Sequence, residues 1–226
     1  MRAGGWCAVA TACVALGGAA SATGAQELAD FDYENLSFRG LGLEVGYLFP
    51  TRVEPTQSIG IRMDLGYLGP GLRIVPGLSY WSSRFEAGEV RELEERVGEL
   101  VAAQTGEPPP VVDLGVIDWR DVVLSLDGHV VWQIPAVGML TFAGAGISAH
   151  MLNGDGDAIN GTFVEDLLDS VSAGFNLHAG VEYPTEWFRP YLTGRYEVHG
   201  DLQYFEIRVG GQVMFGASAP GEARRP

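Results

Sequence analysis

The chain has 226 residues, 46% of them hydrophobic, with 32 glycines, a formal charge of −15 and arginine as its only basic residue besides histidine. That acidity opposes a phosphate backbone and excludes a nucleic-acid partner. Beyond the N-terminal segment no run of about twenty apolar residues occurs, so a membrane-integral reading requires a closed sheet rather than a helix.

Residues 1–25 read as a secretory signal peptide: Arg2 is the basic start, 6–16 is apolar and small, and Ala20-Ser21-Ala22 offers a cleavage site, with a second after Ala25. Both cysteines, Cys7 and Cys13, fall inside it, so the exported chain has no disulfide framework. Residues 26–35 form a short N-terminal segment.

From Leu36 onward the dominant signal is a period of two, the mark of a strand with two unlike faces. Leu41, Leu43, Val45, Tyr47 and Phe49 alternate with Gly42, Glu44 and Gly46. Ile59, Ile61, Met63, Leu65 and Tyr67 alternate with Gly60, Arg62, Asp64 and Gly66. Leu72, Ile74, Leu78 and Tyr80 alternate with Arg73, Gly77 and Ser79, and Leu124, Leu126, Val130, Trp132 and Ile134 with Ser125, Asp127, His129 and Gln133. The stretch 139–149 is rich in Gly and Ala, with an ambiguous register. Phe175, Leu177, Val181 and Tyr183 alternate with Asn176, His178 and Glu182, and Leu192, Tyr196 and Val198 with Arg189, Thr193, Arg195 and Glu197. The last segment, 204–215, sets Phe205, Ile207, Val209, Val213 and Phe215 against Glu206, Arg208, Gly210 and Gln212. Eight such segments, each near the length of a tilted membrane-crossing strand, predict an all-β, eight-stranded antiparallel up-and-down barrel. Short turns at 68–71, 135–138 and 184–186 alternate with longer connections at 50–57, 84–121 and 150–170, and only 199–202 is short at the loop end.

Alternation alone does not say which face is inside. A secreted lipocalin-like barrel would enclose a small apolar ligand in its apolar face; a membrane barrel turns that face to lipid. Three features favour lipid. Glycines crowd the polar face, as a narrow lumen requires. The aromatics Tyr47, Phe49, Tyr67, Tyr80, Trp132, Tyr183, Phe188 and Phe215 sit near strand ends, where aromatic girdles lie. The polar-face charges Glu44, Arg62, Asp64, Arg73, Asp127, Glu182, Arg189, Arg195, Glu197, Glu206 and Arg208, with His129 and His178, balance into a lumen network. Tight hairpins would set Asp64 opposite Arg73, Glu182 opposite Arg189 and Arg195 opposite Glu206, with Glu44 facing Arg62.

On these segments the chain resembles the small bacterial outer-membrane β-barrels of the OmpA/OmpX type, over residues 36–215. The closing strand carries the most specific element, since Arg208, Gly210, Val213 and Phe215 match the family's C-terminal assembly signal in order. The resemblance implies an outer-membrane location, contact with outer-membrane lipid, recognition by the barrel-assembly machinery, and periplasmic placement of 26–35 and of a short tail, 216–226.

The longest loop predicts a helix at 86–104, from Val90, Leu93, Val97, Leu100 and Val101 at helical spacing, ended by Gly106. Val164 to Leu168 suggests a further helical turn. Asn153, Asp155 and Asp157 begin like a calcium loop, but Ala158 and Val164 stand where the turn glycine and closing glutamate belong, so a Gly/Asp-rich turn is the reading preferred. The four histidines are scattered and make neither a triad nor a metal site by spacing, so no catalytic, metal or cofactor residue is assigned. The function expected is therefore a structural or surface-interaction role through the long loops. A secreted ligand-binding barrel and a lipid-modifying outer-membrane enzyme are the alternatives.

Overall fold

A computed structural model describes residues 36–69, 71–185 and 187–215. The signal peptide, the segment 26–35 and the tail 216–226 lie outside the described residues. The elements in order are β1 (Gly40–Pro50), β2 (Thr56–Asp64), β3 (Tyr67–Gly69), β4 (Leu72–Arg84), α1 (Ala87–Thr105), β5 (Asp118–Ile134), β6 (Met139–Asp155), α2 (Phe163–Leu168), β7 (Ser170–Glu182), β8 (Phe188–His199) and β9 (Leu202–Met214). β2 and β3 are two halves of one stave, so the sheet has eight staves. Each is antiparallel to its chain neighbour, and β1 closes the ring on β9 through Leu41↔Val213, Val45↔Val209 and Phe49↔Phe205.

The period of two sorts the side chains as the sheet curls. On β1, Glu44 is buried while Leu43 and Val45 are 68% and 61% exposed. The same inversion runs round the barrel through Ile59, Leu124, Ile147, Leu177 and Val209, all exposed, against Arg62, Asp127, Ser148, His178 and Arg208, all buried. The molecule is polar within and apolar without over its middle. A contiguous apolar exterior of this extent is incompatible with water and fits a hydrocarbon surrounding. The outward aromatics Phe205 of β9 and Phe215 just after it are about ten residues apart, which at strand rise and barrel tilt is about 25 Å along the membrane normal, the height of an apolar band.

The turn end carries outward-facing Tyr183, Phe188 and Phe215, with Trp132 half-buried; the loop end carries Tyr47, Phe49 and Tyr80. Tyr67 departs from this pattern, for it is buried inside at 3% exposure. Gly66 adopts φ +77°, and the register moves by one residue between Arg62↔Gly77 and Tyr67↔Arg73. A one-residue slip turns a side chain to the opposite face.

The loop end is covered. α1 matches the helical spacing of its sequence and ends on Gly106 at φ +73°, whose N–H bonds the Ala102 carbonyl. α2 is a second, shorter helix; Thr162 caps it by accepting from the Val164 N–H. Val90 and Val97 of α1 and Val164 of α2, with Phe85, Leu114, Ile117 and Ile159 from the loops, pack on Leu48, Trp81, Trp119, Val123, Leu202 and Tyr204 of the strands. The barrel's upper interior is thus a hydrophobic core that continues into the cap.

Candidate functional site

The inward side chains fall into layers. Nearest the turns, Glu182 is fully buried and receives Arg62 Nη2 at 2.7 Å and Arg73 through Nη1 at 2.8 Å and Nη2 at 2.6 Å. Arg73 also lies 3.6 Å from Asp64 and bonds His129 Nδ1 at 3.0 Å. Arg62 donates to Gln212 at 3.1 Å and covers the Tyr191 ring at 3.3 Å. Charge-assisted, multidentate bonds of this kind are what allow charges to be buried at all.

The middle layer has two halves. Arg208 bridges Glu44 and Glu206, each at 2.6 Å; Glu44 also accepts from Tyr191 Oη at 3.0 Å, and Ser58 donates to Glu206. Arg195 bridges Asp127 at 2.7 Å and Glu197 at 2.8 Å, while Asn176 donates to Asp127 and bonds His178 Nδ1 at 2.7 Å. Between the halves lies a cavity of about 20 Å³, lined by Glu44, Arg62, Asp127, His129, His178 and Arg195 among others. That is space for about one water.

The close approach of these side chains depends on glycine. His129 and His178 both pair with Gly144 from opposite sides, and a Cβ there would stand 2.6 Å from His178 Nε2 and 1.9 Å from the Gly128 carbonyl. Gly146 likewise separates Asp127 from Asn176, with a Cβ position 1.9 Å from Asp127 Oδ1. The ambiguous Gly/Ala-rich segment is therefore the strand across which the lumen residues of β5 and β7 meet.

Towards the loop end, His150 Nε2 lies 3.0 Å from Ser148 Oγ and its Nδ1 2.7 Å from Asp121 Oδ2. The His199 ring stacks on His150 with centroids 3.7 Å apart, and its Nδ1 bonds Ser172 at 3.2 Å. The Ser148–His150–Asp121 connectivity is that of a hydrolytic triad. The surroundings are not: all three residues are buried, and the Ser148 hydroxyl is pinned by a bond to Glu197. A nucleophile needs an open approach to the carbon it attacks.

Of the pairings expected from sequence, only Arg195↔Glu206 holds in the backbone register. Its side chains nevertheless choose other partners, Arg195 taking Asp127 and Glu197. Glu182 faces Tyr191 rather than Arg189, two residues from the expected register. The turn before β8 is wider than a two-residue hairpin because the Thr185 hydroxyl engages both backbone groups of Phe188. Glu44 faces Gly60, and Arg62 faces Gly42. Asp64 spends Oδ1 on the Gly66 N–H in the register shift and meets Arg73 only at 3.6 Å. The charge pattern of the sequence leaves Asp121, Ser148, Asn176, Tyr191 and Gln212 out of the network they join. Asp121 is within reach of the sequence, since extending the β5 alternation back from Ser125 places Val123 and Asp121 on the same inward face.

At the loop end of β6, Asp155 is bonded to Arg120 of β5 at 2.8 Å and Asn153 donates to Asp169, and in the loop that follows Asn160 Oδ1 accepts the Gly156 N–H.

No family model and no curated protein sequence matches the chain. Among solved structures, Neisserial surface protein A is similar at 14% identity and a TM-score of 0.51, over 78% of this chain and 97% of that one. The N-terminal β-barrel domain of Pseudomonas aeruginosa OprF gives 15% identity and 0.46, over 78% and 97%. A major outer membrane protein of Thermus thermophilus gives 13% and 0.44, over 78% and 99%. At these identities the likeness is one of fold, and the similarity to Neisserial surface protein A agrees with the inside-out distribution of side chains: the chain has the fold of an eight-stranded antiparallel transmembrane β-barrel.

Proposed function

We propose that the protein is an integral, non-enzymatic outer-membrane barrel that holds a folded cap at the cell surface for a structural or surface-interaction role. The carrying observation is the continuity between the strands and the cap: Trp81, Tyr204, Leu48 and Leu202 of the barrel share one core with Val90 and Val97 of α1. Such a core makes the loops a shaped platform rather than loose chain. In this reading the loop end is extracellular, the turn end is periplasmic, and the ion-paired lumen is closed to ions. An apolar-ligand carrier would need its apolar surface inside the middle of the barrel, where Arg62, Arg73, Arg195 and Arg208 are buried instead.

The test has three parts. Membranes from expressing cells are washed and the protein is run heated and unheated on SDS gels; retention in the membrane and a heat-dependent shift support the reading, and solubility without detergent refutes it. In planar bilayers the refolded protein is expected to give no steady conductance, and large stable steps would refute the closed lumen. Protease added to intact cells should cut within α1, at Arg91 or Arg96, only if the cap faces outward.

A further inference from the structure

Glu44, Asp64, Asp127, Glu182, Glu197 and Glu206 each lie within ion-pair distance of an arginine. Asp121 breaks this rule. It is fully buried, its Oδ2 lies 2.7 Å from His150 Nδ1, no arginine stands within ion-pair distance of it among the described residues, and its Oδ1 has no hydrogen-bond partner among the described residues. A buried carboxylate needs a compensating positive charge. Beside it, His199 is 2% exposed and its Nε2 also has no partner among the described residues. One ligand-type atom from each of Asp121, His150 and His199 lies within 4.8 Å of the others.

We propose that Asp121, His150 and His199 bind one divalent transition-metal ion of the class favoured by imidazole, such as zinc. The ion supplies the charge that arginine supplies elsewhere in the lumen and takes up both orphaned atoms. One carboxylate oxygen and two ring nitrogens form a three-residue set of the kind zinc accepts, with a fourth position left for water. Ser172 fixes the tautomer: with Nδ1–H donated to its hydroxyl, His199 presents the Nε2 lone pair. His150 keeps Nε2 on Ser148 and offers Nδ1.

The His150 and His199 rings lie parallel within 9°, so joint ligation requires them to fan apart. His199 has the space to do so, because it lines a cavity of about 360 Å³ beneath α1, together with Arg52, Glu89, Trp119, Ser172 and Leu202. The same cavity is the ion's route from the loop end. The second cluster of ligand-type atoms, Asp127, His129 and His178, is excluded by its surroundings. Both Asp127 oxygens are already bonded, Arg73 donates to His129, and Arg62, Arg195 and Arg208 line its cavity. That charge repels a cation.

The experiment titrates zinc alone into the chelator-treated, refolded full chain in detergent, read by calorimetry, and repeats it with cobalt(II) read by visible absorption. One equivalent is expected, with cobalt bands of a low-coordinate nitrogen/oxygen site. It should be lost in Asp121→Asn and in His199→Gln, and kept in His178→Gln and Asp155→Asn. Each variant's heat-dependent gel shift verifies that the barrel has formed. If Asp121→Asn does not form, His199→Gln decides alone, at a position next to a turn. Absence of the equivalent in the parent chain, its survival in His199→Gln, or its loss in His178→Gln or Asp155→Asn overturns the proposal.

Discussion

Replacing Glu182 by Gln keeps the shape of the side chain and removes the charge on which two buried arginines converge. Three bonds of 2.6–2.8 Å from Arg62 and Arg73 end on this carboxylate. Without it Arg73 retains Asp64, at 3.6 Å, and Arg62 retains the neutral Gln212 and the Tyr191 ring. Breaking a buried pair in this way costs about 3–5 kcal/mol, a large share of the roughly 5–15 kcal/mol that a typical domain has. The assay is equilibrium urea unfolding from lipid vesicles, followed by tryptophan fluorescence. Glu89→Gln supplies the comparison, since its bond to Arg52 at 2.6 Å is partly exposed and its loss should cost about 1 kcal/mol or less. Adding Arg73→Gln to Glu182→Gln should cost less than the sum of the single changes, because the two share one network. If Glu182→Gln lies within about 1 kcal/mol of the parent, the claim that the network sustains the lumen is wrong.

Leu43→Arg, at the middle of the outward face of β1, should lower stability in bilayers by about 2–4 kcal/mol, whereas Val111→Arg in the fully exposed loop should stay within about 0.5 kcal/mol; equal effects in vesicle unfolding would deny that β1 faces lipid. Gly146→Val should prevent the heat-resistant gel form, because even its Cβ would sit 1.9 Å from Asp127 Oδ1, while Gly88→Ala in α1, with open space around it, should leave that form intact. Phe215→Ala removes the ring stacked on Phe38 at 5.5 Å and should reduce outer-membrane levels more than deletion of 216–226 does; equal levels in fractionated membranes would remove the assembly role assigned to Arg208, Gly210, Val213 and Phe215.

The strands were legible because each crosses between two environments, and every second residue reports one of them. Their pairing was less so. Glu182 and Arg189 are close in sequence, but Glu182 is bonded to Arg73, 109 positions away, because an inward side chain also meets partners across the barrel. Turn chemistry decided the rest: the Thr185 bonds widened one turn, and the positive φ of Gly66 carried Tyr67 to the inside. The Asp121–His150–His199 cluster was opaque for a similar reason. Its members come from β5, β6 and β8, and the stacking of two histidines about fifty positions apart leaves no local spacing to read.

The seam between β1 and β9 has a consequence for the order of events in assembly. Its two strands are the first and last of the ring, and bringing such distant segments together costs on the order of 4 kcal/mol in chain entropy before a single ladder bond forms. Every other stave can zip onto its chain neighbour as it arrives; this one has to wait for the whole chain. Until Leu202–Met214 is delivered, β1 and β8 are two bare edges of an open, greasy sheet, a state prone to pair with other chains. The hazardous interval in the life of this protein is therefore the last one, and an escort that shields those edges would matter most just before the ring shuts.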